Sequence, residues 1–327
     1  LENNTELWKE IVYDLRENRK LSFVDIAKET RDMFPNLTEV QVYDKVRRYI
    51  RTLRERRIRE KKENPIDQSQ LIQNREPKIV NNNWRGGERI RFGLIGDTQI
   101  NSKYTQLTYL HEFYKICEAK GIKKVYHTGD IDEGEQMRVG HQYECYNQGA
   151  DEHCAEIIKN YPKIDGITTY FITGNHDASI YKRCGVDIGK MIAAARKDMI
   201  YLGRDCAVVN LTPNCSMELR HPWDGTAYAA SYKPQKIVEA MEADSKPNIL
   251  AIGHYHKIEY LFTRNVHVFQ TGCFQSSTPF TRGKGIKVEM GGWIVDILVD
   301  KNGFIHEITP TLIPFYKGIK DDYKNWL

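Results

Sequence analysis

The residues of this chain best suited to chemistry follow short apolar runs: Asp97 and Gln99, Asp130, Asn175 and His176, His221, and His254 with His256. Carboxylate, carboxamide oxygen and imidazole, with no thiolate, form a ligand set suited to first-row transition metals. Two cations sharing one carboxylate would need about this many donors, drawn from several strand ends of one sheet. Alternation along an extended GHYH segment sets His254 and His256 on one face around Tyr255. Taken singly, each residue has a plainer reading: Asp97 or Asp130 as a strand-end cap, His221 as a surface histidine before Pro222. His111, His127, His141, His153, His267 and His306 lack such placement and read as structural or exposed.

The elements that must position these groups are legible as a repeated arrangement from Glu88 onward: IRFGLIGDTQ, KKVYHTGDID, ITTYFITGNHD, SMELRHP and NILAIGHYH. Continuous apolar runs of this kind mark buried strands, and in α/β folds functional groups gather just beyond strand carboxyl ends. GGWIVDILVDKNGFIHEI, with its Asp-Lys-Asn-Gly turn, reads as a late hairpin closing one sheet. Residues 88–327 are therefore expected to form one α/β domain.

Residues 1–62 read as helical. Leu7, Ile11, Val12 and Leu15 recur at helical spacing, and Ser22 can cap a second helix with Asp25 as its partner. Pro35 and Asn36 break the chain, after which Thr38 and Gln41 can box the start of a third helix bearing Val42, Val46, Ile50 and Leu53 on one face. Three short helices with a turn before the third resemble a helix-turn-helix domain, without a clear wing. Residues 63–87 are polar, with Pro65, Pro77, an Asn triplet and paired glycines, and are expected to be an extended or irregular linker. Trp84 reads as an anchor of that linker on the following domain.

A length of 327 residues suits one large domain with a smaller appendage, and 40% hydrophobic with 28% charged residues argues against wholesale disorder. The net charge of +4 is mild, yet Arg47–Lys62 holds nine basic residues against Glu55 and Glu60. Arg47, Arg48, Arg51, Arg54 and Arg57 are the expected phosphate contacts of a nucleic-acid partner. Oligomerisation through these helices is the alternative. Seven cysteines without a C-x-x-C pair argue against a disulfide framework or zinc knuckle. The first residues resemble no signal peptide, and no apolar stretch has membrane-spanning length, so a cytoplasmic location and no membrane partner are expected.

GDTQ, GDIDEG, GNHD, the lone His221 and GHYH, in that order, resemble the calcineurin-like metallophosphoesterase superfamily, whose pattern is D-x-H, G-D-x-x-D/E-G, G-N-H-D/E, H and G-H-x-H. The resemblance covers Asp97 to His256. It implies a sandwich of two mixed β-sheets flanked by helices, here with a small all-α N-terminal domain added. It also implies two divalent metal ions, Mn²⁺ foremost, with Mg, Fe, Ni or Zn as alternatives. Asp130 would bridge them; Asp97, Gln99 and His256 would complete one position, and Asn175, His221 and His254 the other. His176 would stabilise or protonate the leaving oxygen and Glu133 would orient it, with Asp132 the competing carboxylate.

The implied activity is phosphate-ester hydrolysis through a metal-activated hydroxide, with a phosphodiesterase or nuclease acting on nucleic acid as the leading expectation. A phosphomonoesterase or cyclic-nucleotide phosphodiesterase uses the same motifs. A DNA-binding regulatory or assembly protein with a weakened site is the rival from a different class. That rival is motivated by Gln99, which stands where the pattern has histidine and offers a neutral, weaker ligand. The segment Glu135–Glu156 reads as a substrate wall or as a solvent-exposed helix, and Phe274–Lys287, with Arg282, Lys284 and Lys287 beside Phe280, as a contact for a phosphate backbone with stacked bases or as a mobile solvated loop.

Overall fold

The computed structural model describes residues 3–17, 19, 21–63, 78–82, 84–243 and 245–327, with the backbone alone at 3–7, 17 and 53–63. The chain divides into two compact units, Leu1–Glu76 and Pro77–Leu327.

In the first unit the capping signals act as their chemistry dictates. The Ser22 side chain accepts the Asp25 N–H at 3.2 Å ahead of α2 (Phe23–Glu29), which follows α1 (Asn3–Glu17). Thr38 and Gln41 exchange bonds of 2.8 and 3.3 Å at the start of α3 (Glu39–Glu63), satisfying two otherwise orphaned N–H groups. Val42, Val46 and Ile50 of α3 are buried against Val12, Leu15, Ile26 and Ala27. The Leu7 and Leu53 side chains lie outside those described. Trp8 closes this small core, its ring edge-on to Phe34 and Tyr49 at 5.4 and 5.0 Å.

The second unit is a sandwich of two six-stranded mixed sheets. One is built from β2 (Arg89–Ile95), β3 (Lys124–His127), β4 (Thr168–Thr173) and β5 (Met199–Arg204), all parallel, with β11 (Met290–Val299) antiparallel beside β2 and β12 (Ile305–Phe315) antiparallel beside β11. The other runs in the order β1 (Lys78–Asn81), β6 (Cys206–Thr212), β7 (Cys215–Arg220), β8 (Ile249–Ile252), β10 (Val266–Thr271) and β9 (Ile258–Thr263). Phe92, Tyr126 and Val295 of the first sheet meet Met217, Ala251 and Phe269 of the second in the core between them. Phe113 and Tyr114 on α4 (Leu107–Ala119) and Ile157 on α5 (Ala150–Asn160) belong to a second core with the outward residues Val125 and Phe171 of the first sheet. The expected late hairpin is β11–β12, where Asp300 Oδ1 accepts the N–H groups of Asn302 and Phe304. Pro310 and Pro314 are tolerated because β12 is an edge strand.

The linker expected over 63–87 is in part a strand. Of the 63–87 linker, residues 64–77 lie outside those described, but Lys78–Asn81 is a strand, pairing in parallel with β6 from Lys78 opposite Ala207 to Asn81 opposite Asn210. It is a four-residue edge strand and mostly exposed, so it lacks the apolar run by which the buried strands declare themselves. Trp84 packs on the inter-sheet core as its anchor role requires, and its indole donates to the Gly87 carbonyl at 2.8 Å. No described helix is long and apolar enough to cross a membrane.

Phe269 is fully buried between the sheets, its ring 5.6 Å from Trp293 and 4.9 Å from Tyr260. Phe269→Ala is expected to cost about 3–5 kcal/mol, read as a lowered midpoint in urea denaturation. A loss under about 1 kcal/mol would mean that this core does not hold the sheets together.

Candidate metal centre

The site forms where strand ends of both sheets converge. Past the end of β2, the Asp97 N–H donates to the Gly129 carbonyl at 3.0 Å and the Gln99 N–H to the Asp130 carbonyl at 3.1 Å, so the loops after β2 and β3 run bonded side by side. The His254 N–H, beyond β8 of the other sheet, donates to both oxygens of the Asp97 carboxylate at 3.0 and 2.9 Å. The Asp177 carboxylate, last of the GNHD motif, accepts the N–H groups of Gly174 and Asp132 at 2.7 and 2.9 Å and binds the loops after β3 and β4 together. Gly174 must be glycine: a Cβ there would meet Asp130 Oδ1 and come within 2.6 Å of the His221 ring.

Five of the seven ligand-type residues hold positive φ: Asp97 at 50°, Gln99 at 49°, Asp130 at 54°, His254 at 78° and His256 at 52°. Non-glycine residues adopt this backbone rarely, and it persists where surrounding structure over-determines it, characteristically at functional sites.

Asp130, His221 and His254 each offer a ligand atom within 4.8 Å of one another. His221 Nδ1 donates to the Thr128 carbonyl at 2.8 Å, and its Nε2 lies 3.0 Å from Asn175 Oδ1 and 3.1 Å from Asp130 Oδ2. His254 Nε2 donates to the Asp224 carbonyl at 2.6 Å, which leaves Nδ1 with the free lone pair. One ring nitrogen bonded to a carbonyl and the other left open is how metal-binding histidines are oriented. On the neighbouring position, His256 Nε2 is 3.4 Å from Asp97 Oδ1 and Gln99 Nε2 is 3.3 Å from Asp130 Oδ2. Gln99 Oε1 is buried without a hydrogen-bond partner, a placement that costs about 1–3 kcal/mol unless something electropositive meets it. These donors fit a pair of divalent cations.

The electrostatics agree. Burial acts to raise Asp130, but the His221 and His176 charges prevail and hold its carboxyl well below the usual range. Burial pulls His221 down, and the charge and hydrogen bond of Asp130 overcome it, raising the imidazole to about 9. Burial and the His221 charge instead lower His254 to about 4. His256 is raised well above its ordinary value; burial opposes the shift, while Cys273 and Asp97 drive it.

The expected orientation of His176 by the Glu133 carboxylate is not what the structure shows. His176 Nδ1 donates instead to the Glu133 main-chain carbonyl at 2.5 Å, while the carboxylate bonds His141 Nε2 at 2.8 Å and Gln275 Nε2 at 2.5 Å. The competitor Asp132 is taken up by His153 Nδ1 at 2.7 Å and Asn101 Nδ2 at 2.7 Å. His141, read from sequence as structural or exposed, is buried here with its ring 6.0 Å from that of His176. Neither His141 nor Gln275 carries a motif signal that could have found it. Arg47, Arg48 and Arg51 are exposed on α3, whereas the Arg54 and Arg57 side chains lie outside those described.

A two-sheet sandwich with carboxylates, amides and imidazoles at its strand ends is the arrangement expected of the calcineurin-like metallophosphoesterases. The model of the calcineurin-like phosphoesterase family matches residues 90–258, just over half of the chain, and the chain belongs to that family. Solved structures similar to it include a novel archaeal phosphodiesterase (13% identity, TM-score 0.38, covering 68% of this chain and 100% of that one). Others are Vps29 from Cryptosporidium parvum (16%, 0.37, 71% and 100%) and Zn-complexed Vps29 from Entamoeba histolytica (12%, 0.33, 69% and 100%). No curated protein compared with the chain matches it.

Because His221 is raised to about 9, a cation taking its Nε2 must displace a proton. Apparent Mn²⁺ affinity is expected to climb from about pH 6.5 to about 9, up to roughly tenfold per unit for each proton displaced, with proton release in calorimetry near neutral pH. Affinity independent of pH across that window would contradict the placement of His221 as a ligand.

Proposed function

We propose that this chain is a metal-dependent phosphodiesterase acting on nucleic acid. The observation that supports it best is that His176 lines one cavity of about 330 Å³ together with Asp130, Asn175, His254 and His256. Bound cations would polarise the phosphoryl group and activate water at neutral pH. The chain's own groups supply the rest. The Glu133 carbonyl holds the His176 Nδ1–H, so Nε2 is the atom that, when the ring carries a second proton, would pass that proton to the departing oxygen. Asp130 stays ionised, and the neutral His254 keeps a lone pair to offer.

A diester suits the cavity better than a monoester. Among the described lining residues Arg138 is the sole lysine or arginine, and Glu144 neutralises it at 2.6 Å. A dianionic monoester would find no uncompensated lysine or arginine there, whereas a singly charged diester needs none beyond the metals. The N-terminal unit supports nucleic acid as the substrate: Arg47 and Arg48 stand exposed on α3 and can meet phosphates.

The protein is expected to hydrolyse bis(p-nitrophenyl) phosphate only with added Mn²⁺. Asp130→Ala should abolish turnover, and His176→Ala should lower kcat by about 10²–10⁴. Full activity after exhaustive dialysis into metal-free buffer, or activity surviving Asp130→Ala, would overturn the reading. For the N-terminal unit, the double variant Arg47→Ala/Arg48→Ala should weaken DNA binding and reduce the slope of log K against log salt by up to about 2. An unchanged slope and affinity would remove these arginines from the interface.

A further inference from the structure

The cavity beside the metal ligands has a second, chemically different wall, made by Arg138, Phe280, Met137 and Ile286. The Arg138 guanidinium carbon sits 4.4 Å from the centroid of the Phe280 ring. Both partners are held. Glu144 clamps the guanidinium at 2.6 Å, with the two side chains only 21% and 13% exposed. Phe280 lies on a short helix, Pro279–Gly283, whose start is locked by a reciprocal box: the Thr278 N–H donates to Thr281 Oγ1 at 2.9 Å and the Thr281 N–H to Thr278 Oγ1 at 3.1 Å. Phe280 nevertheless remains 39% exposed, so one face of its ring is open to a ligand in the cavity.

The expected basic character of the loop does not reach this wall. Arg282 turns back to the Ser277 carbonyl at 2.7 Å, Lys287 pairs with Glu289 at 3.3 Å, and none of Arg282, Lys284 and Lys287 lines the cavity. Recognition along the wall therefore cannot rest on charge. A fixed aromatic ring, a neutralised guanidinium plate and two aliphatic side chains suit a flat, uncharged, aromatic group. A volume of about 330 Å³ lies at the small end for ligand pockets and suits one nucleotide rather than a length of strand.

We propose that Phe280, backed by Arg138, is the stacking platform for the nucleobase of the nucleotide that carries the scissile phosphate. This rests on the phosphodiesterase reading for its substrate, and deepens it by assigning the base its place. Stacking on an aromatic side chain tolerates any base, because every base presents a π-face. The site thus selects nucleotides over other diesters without selecting sequence.

The test uses the full chain loaded with Mn²⁺ and two ligands that differ only in the base, thymidine 5′-monophosphate and deoxyribose 5-phosphate, with binding read by calorimetry. The nucleotide is expected to bind at least about tenfold tighter. Phe280→Ala should erase that difference while leaving the sugar phosphate bound as in the parent, and Phe280→Trp should keep it. Arg138→Ala, which removes the plate behind the ring, should lower the same ratio. Equal affinity of the parent for both ligands, or an equal loss of both in Phe280→Ala, overturns the subsite. Hydrolysis of bis(p-nitrophenyl) phosphate separates this outcome from failure of the parent reading. Turnover without base preference sinks the subsite alone, and base preference without turnover sinks the phosphodiesterase reading and leaves Phe280 as a base-stacking site for a bound nucleotide only.

Discussion

The structure around the site depends on keeping one carboxylate, that of Asp130, ionised while it is 1% exposed. A carboxylate so placed would ordinarily take up a proton, since burial penalises its charged form. Asp130 escapes this because each oxygen is met. The His176 N–H donates to Oδ1 at 2.9 Å, and His221 Nε2 and Gln99 Nε2 approach Oδ2 at 3.1 and 3.3 Å. Those three partners come from the ends of β4, β7 and β2, that is, from both sheets. Sheet packing, loop course and the bare Cα of Gly174 therefore answer to a single electrostatic demand.

That demand is met at a conformational cost. Left-handed backbone at Asp97, Gln99, Asp130, His254 and His256 costs of order 1–3 kcal/mol at each position, less at the aspartates. Together this is comparable to the whole stability of a typical domain, about 5–15 kcal/mol. The loops cannot impose such geometry on themselves. It is imposed by bonds that continue the sheet pairing past the strand ends, by the Asp177 carboxylate across two loops, and by Asp97 across the two sheets. The inter-sheet core that anchors these strands is thereby part of the site.

How much of this was legible beforehand divides along physical lines. The strands that carry Asp97, Asp130, Asn175 and His254 end in buried stretches, so the polar residue that follows each is conspicuous, whereas β7 before His221 alternates apolar and polar residues as CSMELR. The fold and its convergence point follow from that. β1 is exposed and four residues long, and nothing in Lys78–Asn81 separates it from linker. Side-chain choices between close neighbours were illegible for another reason. Whether Glu133 turns its carboxylate to His176 or to His141 depends on rotamers within a few ångströms, which motif spacing does not encode. The same holds for Arg282, whose charge is spent on its own loop at the Ser277 carbonyl.

Gln99 couples the proton balance of the site to its backbone geometry. Histidine at this position would bring a second titratable ring beside His256, and each ring would have to lose a proton before serving a cation. An amide does not titrate, so in the proposed centre protons compete at the first position through His256 and at the second through His221, both raised above their ordinary values. The amide offers less charge transfer than imidazole and a harder oxygen, which in the proposed centre would favour Mn²⁺ or Mg²⁺. Its Oε1 is nevertheless buried and unpaired within the loop that Asp97 and Asp130 hold in left-handed backbone. A side chain retained only to fill space there would be better served by an apolar group of similar volume, since the unmet oxygen is a net loss. In the proposed centre Gln99 would therefore be a changed ligand rather than a lost one.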